Sequence, residues 1–230
     1  MSQLHKYKWL LFDLDNTLID FHKPSLASFA DLCAAAGISY TDRTYRQYQL
    51  VNKDVWDRYE SGRITSTELK TLRFELFFKQ QGSTFDPVVA HHEYTAGLVK
   101  YSKADDKVRL LLSQLQERHH LAIITNGLKE AQRPRLLHTG ISDYFQHIIV
   151  SDEIGYAKPQ AAFFDHVMDV IQHHDRSDLL IIGDSLTSDI KGGNDSKIDT
   201  VWYNPLGLPL HSSIKPAYTI AKLADLLTID

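Results

Sequence analysis

The chain has 230 residues, 43% hydrophobic and 23% charged, a balance that belongs to ordinary globular proteins and excludes disordered or fibrous ones. Its formal net charge is −4 and its lysines and arginines form no long run, which argues against nucleic acid as a partner. A single cysteine, Cys33, excludes a disulfide framework, and no apolar stretch reaches the ~18 residues of a membrane span, so a soluble cytoplasmic protein without signal peptide or membrane partner is expected.

Along the chain, short apolar runs each end in a small or acidic residue. The first is Trp9–Phe12, before Asp13. It is followed by about eighty residues with no convincing strand, in which helices are expected over 24–36, closed by Gly37, then over 45–59, Ser66–Gln81 and 87–100. Cys33 falls inside the first of these and reads as core packing. Leu110, Leu111 and Leu115 then mark one face of an amphipathic helix. Further apolar runs follow at 121–124, 148–150 and 179–182, with a weaker one at 200–203. Between them, Phe163, Phe164, Val167, Met168 and Ile171 form a helical stripe just after Pro159. Four-residue apolar runs bounded by turn residues are strands buried on both faces, and their alternation with helices predicts a doubly wound α/β protein with a Rossmann-like parallel sheet. Residues 1–18 and 102–230 are expected to form that core. Residues 19–101 are expected to be a smaller helical domain inserted after the first strand. The tail 204–216, rich in Pro and Gly, is expected to be irregular.

Reactive groups of open α/β sheets collect at the carboxyl ends of the strands. Here those ends carry Asp13-Leu14-Asp15-Asn16-Thr17, then Thr125-Asn126-Gly127, then Lys158-Pro159, and finally Gly183-Asp184 with Asp189 five residues on. Any one of these is weak; four in this order are a strong joint signal. Together they resemble the haloacid dehalogenase superfamily of phosphotransferases, whose four motifs lie in this order and whose helical cap is inserted where residues 19–101 lie. One departure is Gly192-Gly193-Asn194-Asp195-Ser196-Lys197, where relatives carry a helix of small residues.

The resemblance implies a Mg²⁺-dependent phosphomonoesterase, and the residue types suit that chemistry. A carboxylate at the tip of the first strand, Asp13, is the expected nucleophile toward phosphorus. Asp15, two residues on, is the expected acid that protonates the leaving alkoxide and then the base that activates water. Thr125 and Lys158 are expected to donate to the phosphoryl oxygens. Asp13 and Asp184, with a backbone carbonyl at Asp15, suit the hard-oxygen shell of Mg²⁺. Asp189 is expected either to brace this site or simply to favour a helix N-terminus. Asn126 and Gly127 are expected near the substrate.

Within the insertion, the run Asn52-Lys53-x-x-Trp56-x-x-Tyr59-x-x-Gly62-x-Ile64-Thr65 and the later Arg73-Phe74 resemble the cap of bacterial pyrimidine 5′-nucleotidases. That resemblance implies a nucleoside monophosphate as substrate, contacted by Asn52, Lys53, Trp56 and Arg73. Three alternatives share part of the pattern. A sugar-phosphate or phosphoglycolate phosphatase differs only in its cap. A hydrolytic dehalogenase needs neither a metal nor Asp15. A non-enzymatic phospho-receiver module has an aspartate, threonine and lysine on a similar sheet but no second acid. The twelve histidines, including the pairs His91-His92, His119-His120 and His173-His174, lack helical zinc spacing and are expected at the surface.

Overall fold

A computed structural model describes residues 3–210 and 213–229. β1 (Trp9–Phe12) leads into four helices, α1 (His22–Ala35), α2 (Asp42–Glu60), α3 (Ser66–Gln81) and α4 (Pro87–Tyr101). Next come α5 (Asp106–Leu115), β2 (His120–Thr125), α6 (Lys129–Thr139), β3 (His147–Val150), the single turn α7 (Ser151–Ile154) and α8 (Ala161–Ile171). The chain continues through β4 (Leu179–Gly183), α9 (Lys191–Asp195), β5 (Asp199–Tyr203) and β6 (Tyr218–Ile220). By its contacts the chain divides into two compact units. One holds residues 1–20, 103–127 and 139–230; the other holds 21–102 and 128–138.

The first unit is built on a six-stranded parallel sheet in the order β3-β2-β1-β4-β5-β6. Strand order reverses direction about β1, so the crevice at the carboxyl ends of β1, β2 and β4 is the topological switch point of a Rossmann-like fold. All four residues of β1 are buried, as both faces of a covered parallel sheet require. On one face, Trp9, Leu11, Ala122, Ile124 and Ile181 pack with Phe163, Phe164 and Val167 of α8. Two local expectations are corrected. Leu110 is 61% exposed, because α5 turns Val108, Leu111, Leu112 and Leu115 inward instead. His119 is buried, and its Nδ1–H donates to the Tyr7 carbonyl oxygen at 2.8 Å. The tail after β5, of which residues 211 and 212 lie outside the described residues, ends in a strand that its composition does not announce: β6 pairs with β5 from Val201 to Tyr203.

The second unit is helical and aromatic. Phe29, Tyr48, Phe74, Phe77 and Tyr94 form its centre, with Phe29 stacked on Tyr48 at 4.6 Å between ring centroids. Helices α1 and α4 touch where Gly97 meets Ser28; a Cβ on Gly97 would lie 2.7 Å from the Ser28 hydroxyl. Thr65 caps α3 through a reciprocal box with Glu68, so the helix opens on Ser66 with Thr65 as its cap. The segment 128–138 is tied into this unit by the Lys70–Glu130 ion pair at 2.7 Å and by Arg135 Nε donating to the Ser102 hydroxyl at 2.8 Å. Cys33 is buried. His91 is buried as well, against expectation, because α4 aims it inward toward Arg73.

Candidate active site

The carboxyl end of β1 places Asp13 at the switch point, where its N–H still donates to Ile182 O at 2.9 Å and extends the ladder to β4 by one bond. The chain then turns at once: Leu18 and Ile19 donate to Leu14 O, Asn16 donates to Ile19 O, and Asn16 takes a left-handed conformation at φ 60° that asparagine tolerates better than most residues. This turn carries Asp15, half-buried, two residues beyond Asp13.

A fully buried lysine organises the site. Lys158 Nζ donates to Asp13 Oδ1, Asp189 Oδ1 and the Ile124 carbonyl, each at 2.7 Å. An ammonium has three donors, and all three are matched. Burial alone would lower its pKa, but Asp13 and Asp189 outweigh burial and raise it above the ordinary lysine value. Lys158 is therefore a fixed positive charge at working pH. Asp13 takes a second hydrogen bond, from the Thr17 hydroxyl to Oδ2 at 3.2 Å. Thr17 received no role from the sequence beyond its place in the first cluster.

The lysine is held through its backbone. Asn126, just past β2, donates its amide to Lys158 O at 2.9 Å and accepts from Lys158 N–H at 2.8 Å. This carboxamide, expected near substrate, is thus engaged with the loop that carries Lys158. Beside it, Thr125 ends β2 fully buried, and its hydroxyl accepts from Gly127 N–H at 3.2 Å.

Asp184 follows β4, and Asp189 returns to it across the π-helical turn Leu186–Ile190. Asp189 is 1% exposed and accepts from Ser185 N–H at 3.1 Å as well as from Lys158. Gly183 is required beneath it, since a Cβ there would lie 2.2 Å from the Asp189 carboxylate. Carboxylate oxygens of Asp13, Asp184 and Asp189 lie within 4.8 Å of one another. Burial raises the Asp13 pKa well above the carboxylate range, with Asp189 and Asp184 adding to the effect against Lys158. Burial and the neighbouring Asp189 push Asp184 up to about 7. Three carboxyl groups crowd beside one ammonium, so burial and mutual repulsion hold Asp13 and Asp184 up for want of positive charge, and the donors are all oxygen. That combination fits a hard divalent cation such as Mg²⁺. The Asp15 carboxylate is not part of this trio; a ligand role for Asp15 rests on its backbone carbonyl, as the sequence suggested.

The insertion residues separate into two groups. Arg73 is 3% exposed, lies over the Phe74 and Tyr94 rings at 4.6 and 5.2 Å, and donates to Asn52 Oδ1 at 3.2 Å. Among the described residues no carboxylate pairs with it, and its buried Nε–H has no acceptor. His91 lies 3.5 Å away, its pKa lowered to about 4 by burial and then by this guanidinium. Lys53 is not brought to this cluster; its ammonium pairs with Asp57 at 2.6 Å on an exposed face of α2. Trp56 is half-buried and meets Tyr59 edge-on at 5.8 Å.

The family model of the haloacid dehalogenase-like hydrolases matches residues 7–196. The HAD-hydrolase YfnB of Bacillus subtilis is 34% identical over 226 residues, 98% of this chain and 96% of that one. Pyrimidine 5′-nucleotidase PynA of Streptococcus pneumoniae is 34% identical, over 96% of this chain and 94% of its own. Pyrimidine 5′-nucleotidase YjjG of Escherichia coli is 31% identical over 96% of each chain. The crystal structure of YfnB bound to magnesium superposes with a TM-score of 0.87, covering 96% of this chain and 97% of that one. Among the described residues no helix is long and apolar enough to cross a membrane. With its switch-point carboxylates, its fully paired lysine and this likeness over nearly its whole length, the chain is an enzyme that belongs to the haloacid dehalogenase-like hydrolases.

Proposed function

We propose that the enzyme is a cytoplasmic, Mg²⁺-dependent phosphomonoesterase that hydrolyses pyrimidine (deoxy)nucleoside 5′-monophosphates through an aspartyl-phosphate. The observation that carries this reading is the Lys158 ammonium bound to both Asp13 and Asp189. It fixes a carboxylate and a positive charge side by side at the switch point, where a phosphoryl group needs a nucleophile and a counter-charge. Asp13 attacks phosphorus as the bond from phosphorus to the 5′-oxygen breaks, and Asp15 gives that oxygen a proton. In the second half Asp15 takes a proton from water, the water oxygen attacks phosphorus, and Asp13 is released as carboxylate with inorganic phosphate. Lys158, its three donors matched within the site, supplies positive charge beside the phosphoryl oxygens and Thr125 a hydroxyl donor, and Asn126 and Gly127 keep the Lys158 loop and the end of β2 in place. Asp13, Asp184 and the Asp15 carbonyl would hold Mg²⁺, which supplies charge to offset repulsion between the phosphate and the carboxylates.

The helical insertion, residues 19–101, is proposed as the cap that selects the leaving group. Support comes from Arg73 and Asn52, a buried cation without an anion beside an amide, donors suited to the carbonyl edges of a pyrimidine. Trp56 offers a ring face for stacking, while Lys53, paired with Asp57 away from Arg73, adds no donor to this group. PynA and YjjG, named as pyrimidine 5′-nucleotidases, support the same substrate class. The test is phosphate release across dUMP, dTMP, UMP, AMP, GMP, phosphoglycolate and glucose 6-phosphate, with and without EDTA. Pyrimidine nucleotides are expected to show the highest kcat/KM, and chelation to stop all turnover. Preference for sugar phosphates or phosphoglycolate would leave the phosphatase and remove the nucleotidase; a stoichiometric, persistent phosphoprotein would point to a receiver module.

A further inference from the structure

The residue that precedes the sharpest bend of the site, Asp184, is held by a side chain from another strand. Gly183 is the last residue of β4 and pairs with Trp202 of β5, so Asp184 stands one step beyond the ladder. Its carbonyl there has no strand partner, and the Trp202 indole Nε1–H donates to it at 2.9 Å. The N–H at the other end of the same peptide group, that of Ser185, donates to Asp189 Oδ2 at 3.1 Å. One peptide plane is therefore clamped at both ends, by an indole on one side and by the carboxylate bound to Lys158 on the other. Fixing that plane fixes ψ of Asp184 and φ of Ser185, and with them the direction in which the Asp184 side chain leaves the backbone. Trp202 is 4% exposed and has only one donor, which it spends on this carbonyl. In an apolar strand the tryptophan reads as core, and only the register of β4 against β5 reveals this second use.

We propose that Trp202 is a positioning residue for the cation-binding carboxylate Asp184. This rests on the reading of Asp184 as a Mg²⁺ ligand. Its indole N–H adds nothing to the charge of the site. Instead it narrows the orientations of one carboxylate, so that less ordering remains to be done when the cation arrives.

The test is calorimetric titration of Mg²⁺ into the full chain without substrate, alongside thermal melting. Three variants are compared: Trp202→Phe, Asp184→Asn, and a protein with 3-benzothienylalanine at position 202, which keeps the shape of the indole and lacks the N–H. Loss of one neutral hydrogen bond is worth roughly a factor of five in an equilibrium constant. The Mg²⁺ dissociation constant is therefore expected to rise about fivefold in both position-202 proteins. The benzothienyl protein, whose packing is intact but whose Asp184 carbonyl has lost its donor, is expected to melt only about 2–4 °C below the wild type. Turnover at saturating Mg²⁺ should stay within about twofold of wild type, with the Mg²⁺ concentration for half-activation shifted by the same fivefold. Wild-type affinity in the benzothienyl protein, with binding lost in Asp184→Asn, would overturn the role of Trp202 and leave the metal site standing. Mg²⁺ binding insensitive to Asp184→Asn would overturn the metal reading of Asp184 and this inference with it.

Discussion

Both units bury a cation among aromatic or aliphatic side chains, and they treat it in opposite ways. In the sheet unit, Lys158 meets three acceptors at 2.7 Å, two of them carboxylates. In the helical unit, Arg73 lies over two rings, donates to one amide, lies 3.5 Å from His91 Nδ1 and, among the described residues, pairs with no acid. A buried ion that is fully paired costs little while its partners remain and a great deal once one is removed. A buried ion without a counter-ion is already paying its desolvation cost, so its removal is tolerated by the fold. The difference teaches what each unit does with its charge: in the first the charges define a fixed constellation, and in the second a donor array is left with unused capacity.

The largest effect is expected from Asp13→Asn. It removes the proposed nucleophile, and turnover should fall by at least about a thousandfold, as loss of a covalent step does. An asparagine at 13 keeps an oxygen for Lys158, and Asp189 still balances the ammonium, so the melting temperature should fall far less than on loss of Lys158 itself. An active Asp13→Asn protein would move the nucleophile elsewhere. Lys158→Met comes next. It strands Asp13 and Asp189 in a buried site and should cost about 3–5 kcal/mol of stability, together with nearly all activity. Denaturant unfolding at pH 7 measures it, and a loss below about 1 kcal/mol would mean that the trio is not held by this ammonium.

The sequence announced the sheet unit better than the helical one, for physical reasons. Strands buried on both faces are short apolar runs, and β1 and β4 match theirs to within one residue. Their carboxyl ends then place Asp13, Thr125 and Asp184 without further information. Helix α6 was not legible, because Pro134 lies inside it and its run of charged residues hides the buried Gln132 and Arg135. Strand β6 has three residues and follows an irregular tail, so nothing local marks it. His91 and His119 were expected at the surface because flanking residues are polar; which face of α4 or which end of β2 they occupy is decided by packing that sequence spacing does not contain. The grips of Asn126 on Lys158 and of Trp202 on Asp184 are side-chain contacts to backbone groups far off in sequence, visible only once the chain is folded.

A pH effect tests the helical unit next. His91 has its pKa lowered to about 4, by burial and then by Arg73, against an unfolded value near 6.5. The folded state therefore favours the neutral ring, and its contribution is complete above pH 6.5. As pH falls from 6.5 toward 4 the unfolded chain takes up a proton that the folded chain refuses, and stability drops by up to about 1.4 kcal/mol per pH unit. His91→Gln should flatten this decline. Urea unfolding of both proteins at pH 7.5 and pH 5 measures the difference, and parallel losses would show that the His91 ring is not held neutral by burial beside Arg73.

The smallest change in stability is expected from Arg73→Met, and it bears most directly on the comparison. Methionine keeps much of the volume and the contact with the Phe74 and Tyr94 rings while removing a buried charge that no acid balances. What is lost is the hydrogen bond to Asn52 Oδ1 and the long 3.5 Å contact with His91 Nδ1, and what is gained is relief of the desolvated guanidinium and its unmatched Nε–H. These nearly cancel, so unfolding free energy should change by no more than about 1 kcal/mol, against several for Lys158→Met. Substrate choice should change instead. If Arg73 and Asn52 read the carbonyl edge of a pyrimidine, the ratio of kcat/KM for dUMP over glucose 6-phosphate should fall by about tenfold or more, because a polar base edge left without its donor loses a hydrogen bond to a charged group. Turnover of a small aryl phosphate, which has no base to read, should stay close to wild type. A variant as unstable as Lys158→Met would show that the guanidinium is a strut of the aromatic core. One as stable and as selective as the wild type would remove Arg73 from recognition and leave the choice of nucleotide to other side chains of the insertion.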